Sequence, residues 1–367
     1  MDQSVTTRPR GPRFSFLDAL RGLASVWVVL YHAAAGEHTP LLEKTLPHWL
    51  FEVLFRQGYL GVPVFFVLSG FVLSYTTRNL KISWPLFQNA IVRRWVRLSP
   101  PYYISIALFL LVTLLKTKVD GSLFWMPSWD NLLAHLVYLQ VILDFKTIST
   151  VYWALCIEVQ FFLVYFALMA LGQGLDRISP RMERGLDLVV MVAAAIALLW
   201  PLNIVDHHWL TEGLFFPYWH GFLLGALAYR VYSDRLWGPW LYSYGGCILA
   251  AGLVHQHWFS VIAVIVTLGI TVMGHYQQLN CLNWRWLQFL GLISYSLYIT
   301  HPAISRTSLF LGRRFLDTNT VWGEGLNVAI HLLVCIGFAA LFWYVVERPS
   351  VVWSQRLRRS PTITSQT

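Results

Sequence analysis

FSFLDALRGLASVWVVLYHAAAG, residues 14–36, is apolar enough to cross a bilayer and yet carries Asp18, Arg21 and His32. Helix geometry makes that spacing informative. Eleven residues at about 100° each bring Arg21 and His32 onto one stripe, about 16 Å apart along the axis. An ionisable side chain at the bilayer centre costs on the order of 2.5 to 3.5 kcal/mol on insertion scales, so such groups face a bundle interior or a water-filled cavity. The stripe therefore predicts a polar path along this helix. The plainer alternative has Arg21 snorkelling to one interface while His32 sits at the other.

The rest of the chain fits a membrane setting. Its 367 residues are 56% hydrophobic and 12% charged, with 18 tryptophans. Soluble domains carry about 25% charged residues. Repeated apolar runs of about 20 residues predict an all-α polytopic membrane protein. The arginines before residue 14 lead into a full-length span rather than a short apolar core with a small-residue cleavage site, so no cleavable signal peptide is expected. The formal charge of +9 falls in short connections between spans. That is the positive-inside pattern and excludes a nucleic-acid-binding reading. Cys156, Cys247, Cys281 and Cys335 form no ligand pattern, so inert thiols and no metal site are expected.

About ten transmembrane helices are predicted, near 14–36, 57–77, 99–116, 151–171, 186–203, 214–231, 239–255, 257–275, 286–304 and 324–346. Pro63 within the second predicts a kink, and Gly70 a close helix approach. Residues 78–97 form a basic inside connection. Residues 131–145 read as a short or re-entrant helix. Residues 1–13 and 350–367 read as cytoplasmic tails flanking one membrane domain, 14–349. An even span count puts both termini on one side, and the excess of Lys and Arg makes that side cytoplasmic.

This topology sorts the polar residues by depth. His32, Glu158 and His301 fall in an outer layer, and Arg21 and Ser69 in an inner one with Arg94 and Arg97 just below. A neutral imidazole is suited to take a proton near pH 7, so His32 with Glu158 would serve as base and orienter. Arg94 and Arg97, three apart, offer guanidinium forks suited to phosphate. Each also has a structural reading: Glu158 as an interhelical bond, the arginines as lipid anchors, Ser69 back-bonded to its own helix, and His301 as an interfacial histidine. His207, His208, His255 and His257 fall in outside connections and have no claim to catalysis.

With these residues in hand, the chain resembles the acyltransferase 3 family of integral membrane acyltransferases. The matching segments are LDALRGLASVWVVLYH (17–32), GVPVFFVLSGFVLSY (61–75), RRWVRLSPPYY (93–103), YWALCIEVQFFLVYF (152–166), LGLISYSLYITHP (290–302) and VERP (346–349). The resemblance implies transfer of an acyl group, usually acetyl, from cytosolic acyl-CoA to a hydroxyl, with no permanently bound cofactor. Acceptors in the family are mostly surface glycans and, in some branches, small molecules such as macrolides. It implies His32 as base or transient acyl carrier, Arg21 in support, Arg94 and Arg97 in CoA handling, and Ser69 and Glu158 at strongly patterned positions. Arg93 and His301 are further candidates within the same segments. Some members carry a C-terminal SGNH-type domain. Here the sequence runs about 20 residues past the last span, so the acceptor is expected to be handled by the membrane domain or by a partner. Homo-oligomerisation is compatible with all of this.

The expected function is thus O-acetylation of a surface or lipid-linked glycan. Acylation of a small-molecule natural product is the first alternative. A transporter of lipid-linked sugars, using the same intramembrane charges as a substrate path, is the second.

Overall fold

The chain is seen here as a computed structural model describing residues 14–36, 38–121, 123–178, 185–205 and 213–357. The N-terminal tail, Arg181, Arg184, His207, His208 and residues 358–367 lie outside the described residues. Among those described there is no strand.

The first helix, α1 (Ser15–Ala35), is followed by the short α2 (Pro40–Thr45) and α3 (His48–Phe51). Then come α4 (Gly61–Thr77), α5 (Trp84–Asp120), α6 (Trp129–Leu136), α7 (Trp153–Ile178) and α8 (Gly185–Ala197). The chain continues through α9 (Trp219–Ser233), α10 (Gly238–Val254), α11 (Trp258–His275), α12 (Arg285–Phe315), α13 (Val321–Phe342) and α14 (Arg348–Arg356). Each of the ten expected apolar segments is largely helical. Five stretches are long and apolar enough to cross a membrane: Gly58–Thr77, Trp84–Val119, Trp153–Ile178, Trp258–His275 and Val321–Arg356.

Three local expectations are corrected. Residues 78–97 are not a plain connection. Helix α5 starts at Trp84 behind the Ser83 cap, whose hydroxyl accepts the Leu86 N–H at 3.4 Å, and continues to Gly121 at φ +71°. Arg94 and Arg97 therefore stand on a helix about 55 Å long. Pro63, expected inside the second span, stands in the first turn of α4, which begins at Gly61, where no intrahelical donor is needed. The tail expected from residue 350 is helical as far as Arg356, joined to α13 by a π-helical turn, Trp343–Glu347. As expected of 131–145, α6 is only eight residues, about 12 Å, too short to cross.

Packing follows from small residues and stacked rings. A Cβ on Gly70 would overlap the Phe222 carbonyl, and one on Gly225 the Val67 carbonyl, so α4 and α9 cross at backbone contact, as Gly70 predicted. Phe66 of α4 stacks on Phe222 of α9 at 4.4 Å, and Phe222 on Phe161 of α7 at 3.8 Å. Since residues three apart share a helix face, that stack turns Ser69 and Glu158 toward one another. A second close crossing joins α1 to α12, where a Cβ on Gly22 would lie 2.7 Å from the Gly291 nitrogen.

Candidate active site

The Gly22–Gly291 crossing sets the height of two histidines. His32 lies ten residues beyond Gly22, and His301 ten beyond Gly291, on helices running in the same direction. Equal offsets at 1.5 Å per residue bring the rings level, and their centroids are 4.9 Å apart. The outer tier of the site is this imidazole pair.

Hydrogen bonding fixes the tautomer of each ring. His32 Nδ1 lies 2.9 Å from the Val28 carbonyl. A carbonyl only accepts, so in the neutral ring Nδ1 holds the proton and Nε2 presents its lone pair. That lone pair faces the Thr150 hydroxyl, with Oγ1 at 3.4 Å. His301 is fully buried. Its Nδ1 lies 3.1 Å from the Leu297 carbonyl, and its Nε2 has no hydrogen-bond partner. The Tyr298 ring stands 6.2 Å from that of His301.

The inner tier is a cluster of ions. Arg94 donates to Glu158 Oε1 at 2.6 Å, and the Ser69 hydroxyl reaches the same oxygen at 3.3 Å. Arg94 also lies over the Phe162 ring at 4.5 Å, and its Nε is buried with no acceptor. Arg97 is exposed at the surface of the chain, with Arg21, Glu347, Arg94 and Glu158 all within electrostatic range. Glu347, almost fully buried, accepts from the Ser296 hydroxyl at 2.6 Å. Arg21, Arg94 and Arg97 thus share this tier with the carboxylates of Glu158 and Glu347.

The structure thus brings together His32 with His301, and Arg21, Ser69, Arg94, Arg97 and Glu158. It does not pair Glu158 with His32. The carboxylate is bonded to Arg94 and Ser69 and belongs to the inner tier, because the aromatic stack turns that face of α7 toward α4 and α5. His32 is oriented by a backbone carbonyl instead. Nor does Ser69 back-bond to its own helix. Arg93 faces away: its Nε donates to the Ser354 carbonyl at 3.3 Å and the Ser354 hydroxyl to the Arg93 carbonyl at 2.8 Å, tying α5 to α14.

Glu347 and Thr150 were not singled out from sequence. The first stood within the VERP segment, and its π-helical turn is a geometry that recurs at functional sites. No sequence signal marks the second. The cysteines are free, and among the described residues no group of His, Cys, Asp and Glu could hold a metal.

Comparison with known proteins gives the site a context. The acyltransferase 3 family, described as an acyltransferase domain, matches residues 14–348. YrhL of Bacillus subtilis, provisionally named a peptidoglycan O-acetyltransferase, is 24% identical over 91% of this chain and 54% of its own length. The peptidoglycan O-acetyltransferase OatA of Listeria monocytogenes is 23% identical over 94% of this chain and 57% of its own. The chain therefore spans just over half the length of these two relatives. BcsY of Komagataeibacter xylinus, provisionally named a membrane-bound transacylase, is 29% identical over 93% of this chain and 83% of its own. No solved structure matches.

Proposed function

Because the chain belongs to the acyltransferase 3 family, we propose that it is a multi-pass membrane O-acyltransferase. It moves an acyl group, acetyl foremost, from cytosolic acyl-CoA to a hydroxyl of a surface or lipid-linked glycan. Both termini lie on the cytoplasmic side of the inner membrane, and ten helices cross it. The relatives named for peptidoglycan O-acetylation support a glycan acceptor.

The observation that carries this reading is the state of His32. A backbone carbonyl holds its Nδ1 proton, Nε2 is left basic, and a hydroxyl already stands before it. That is the arrangement a general base needs to activate an alcohol. The inner tier supplies the other half. Arg94, Arg97 and Arg21 receive the donor's phosphates, with Glu158 and Glu347 holding the guanidinium groups apart and in place. The donor's arm then runs along the α1 stripe, about 16 Å from Arg21 to His32. At the outer tier, His32 takes the proton of the hydroxyl that attacks the acyl carbonyl and returns it to the departing group.

The test is CoA release by purified protein given acetyl-CoA and a crude lipid-linked glycan fraction. Release that needs both the glycan fraction and His32 is the expected result. General base catalysis contributes about 10²- to 10⁴-fold, so His32→Ala should lose at least two orders of magnitude while its elution on size exclusion is unchanged. A well-folded His32→Ala protein with full transfer would overturn the proposal.

A further inference from the structure

Among the described residues, the hydroxyl that reaches the His32 base is that of Thr150, and the fold goes to some length to put it there. It sits in the turn before α7, its side chain exposed while Ser149, Val151 and Tyr152 on either side are almost fully buried. The Ile148 N–H donates to His135 Nε2 at 3.1 Å. The Val151 carbonyl accepts from the Tyr298 hydroxyl at 3.0 Å. Tyr152 and Ser105 share a hydrogen bond of 3.1 Å. The backbone on each side of Thr150 is therefore locked to α5, α6 and α12, and the side chain at the tip is free to face His32. Tyr298, which holds this turn, is three residues from His301 and on the same helix, so one element positions both the turn and the second imidazole.

A hydroxyl before a base whose tautomer is fixed by a third group is the arrangement of an activated nucleophile, commonly longer before substrate binds than during reaction. We infer that Thr150 is a covalent acyl carrier, so that transfer proceeds in two half-reactions through an O-acyl-Thr150 ester. The inference rests on the acyl-CoA-dependent activity proposed above and adds an intermediate to it. In the first half, His32 Nε2 takes the Thr150 proton, Oγ1 bonds to the acyl carbon, the carbon–sulfur bond breaks, and the proton passes from His32 to the thiolate. In the second, His32 takes the acceptor's proton, the acceptor oxygen bonds to the acyl carbon, and the proton returns to Thr150 Oγ1 as the ester opens. Both halves balance with no further reactant. The carrier also resolves a geometric difficulty. CoA enters from the inner tier and the acceptor from the outer side, and with the acyl group parked on Thr150 the two need never occupy His32 together.

The experiment supplies purified full-length protein with acetyl-CoA alone and then with the glycan fraction. Wild type and Thr150→Ser should release about one equivalent of CoA per protein without acceptor, as expected of burst-phase acyl-enzyme formation. Peptide mass spectrometry should then find one acetyl group on residue 150. Thr150→Val, matched in shape and checked by size exclusion, should lose the burst, the label and at least 100-fold of turnover. Acetyl found on His32, or turnover with the glycan fraction but no burst, or Thr150→Val at wild-type rate, would each overturn the carrier and leave the acyltransferase reading standing. Wild type silent with every donor and acceptor would bring down both.

Discussion

Replacing Arg94 by Met and Glu158 by Gln, singly and together, tests the inner tier as an interacting unit. The Arg94–Glu158 bond is 2.6 Å long, and the two side chains are 24% and 28% exposed, between a surface pair and a buried one. Exposed pairs contribute about 0.2–1 kcal/mol, and removing one partner of a buried pair costs about 3–5 kcal/mol. Half-burial puts Arg94→Met at about 2 kcal/mol, since Glu158 would keep only the Ser69 hydroxyl and methionine would still cover Phe162. Glu158→Gln should cost about 1 kcal/mol, because its amide oxygen can still accept from Arg94. The double variant should be less destabilised than the sum by about 1.5 kcal/mol, near the tenfold mark in an equilibrium constant. Unfolding in detergent by denaturant titration reads the stability cycle. The donor KM reads something different: it should rise about tenfold or more in both variants lacking Arg94, with no rescue by Glu158→Gln, because a phosphate-binding fork is gone. A coupling below about 0.5 kcal/mol would refute the pairing as an energetic unit. An unchanged donor KM in Arg94→Met would refute its phosphate role.

Two other perturbations probe parts of the fold away from the chemistry. Gly225→Ala puts a methyl group onto the Val67 backbone carbonyl at the α4–α9 crossing, where no side chain can swing aside, and should cost about 1–3 kcal/mol of stability. Gly246→Ala, whose Cβ would meet nothing within 4 Å, is the neutral control, and thermal unfolding in detergent should separate the pair. His38, in the connection after α1, is pushed down to about 4 by burial and then by the positive charges of Arg313 and Lys116. Between pH 6.5 and 4 the unfolded chain then binds the proton that the folded one refuses, so stability should fall as the pH drops through that window. His38→Asn should flatten that part of the stability–pH curve, and an unaltered curve would count against the assignment.

Apolar runs, the basic connections and the charges within 14–36 suffice to name an all-helical membrane protein with a polar stripe on its first span. Helical periodicity is local, so Arg21 and His32 are placed on one face by their spacing alone. Gly70 announced a close crossing for the same local reason: a missing Cβ is visible in the sequence. Partner choice is not local. Whether Glu158 turns to His32 or to Arg94 depends on how Phe66, Phe161 and Phe222 stack three helices, and depth along separate spans set it beside His32, where the fold does not put it. Thr150 reaches His32 only because buried bonds on both flanks of its turn, from residues far apart in the chain, aim one exposed side chain. The sequence determined which groups would be expensive to bury. Tertiary packing decided which of them met, since a hydrogen bond or an ion pair within a membrane bundle depends on helix rotations that single-helix periodicity does not contain.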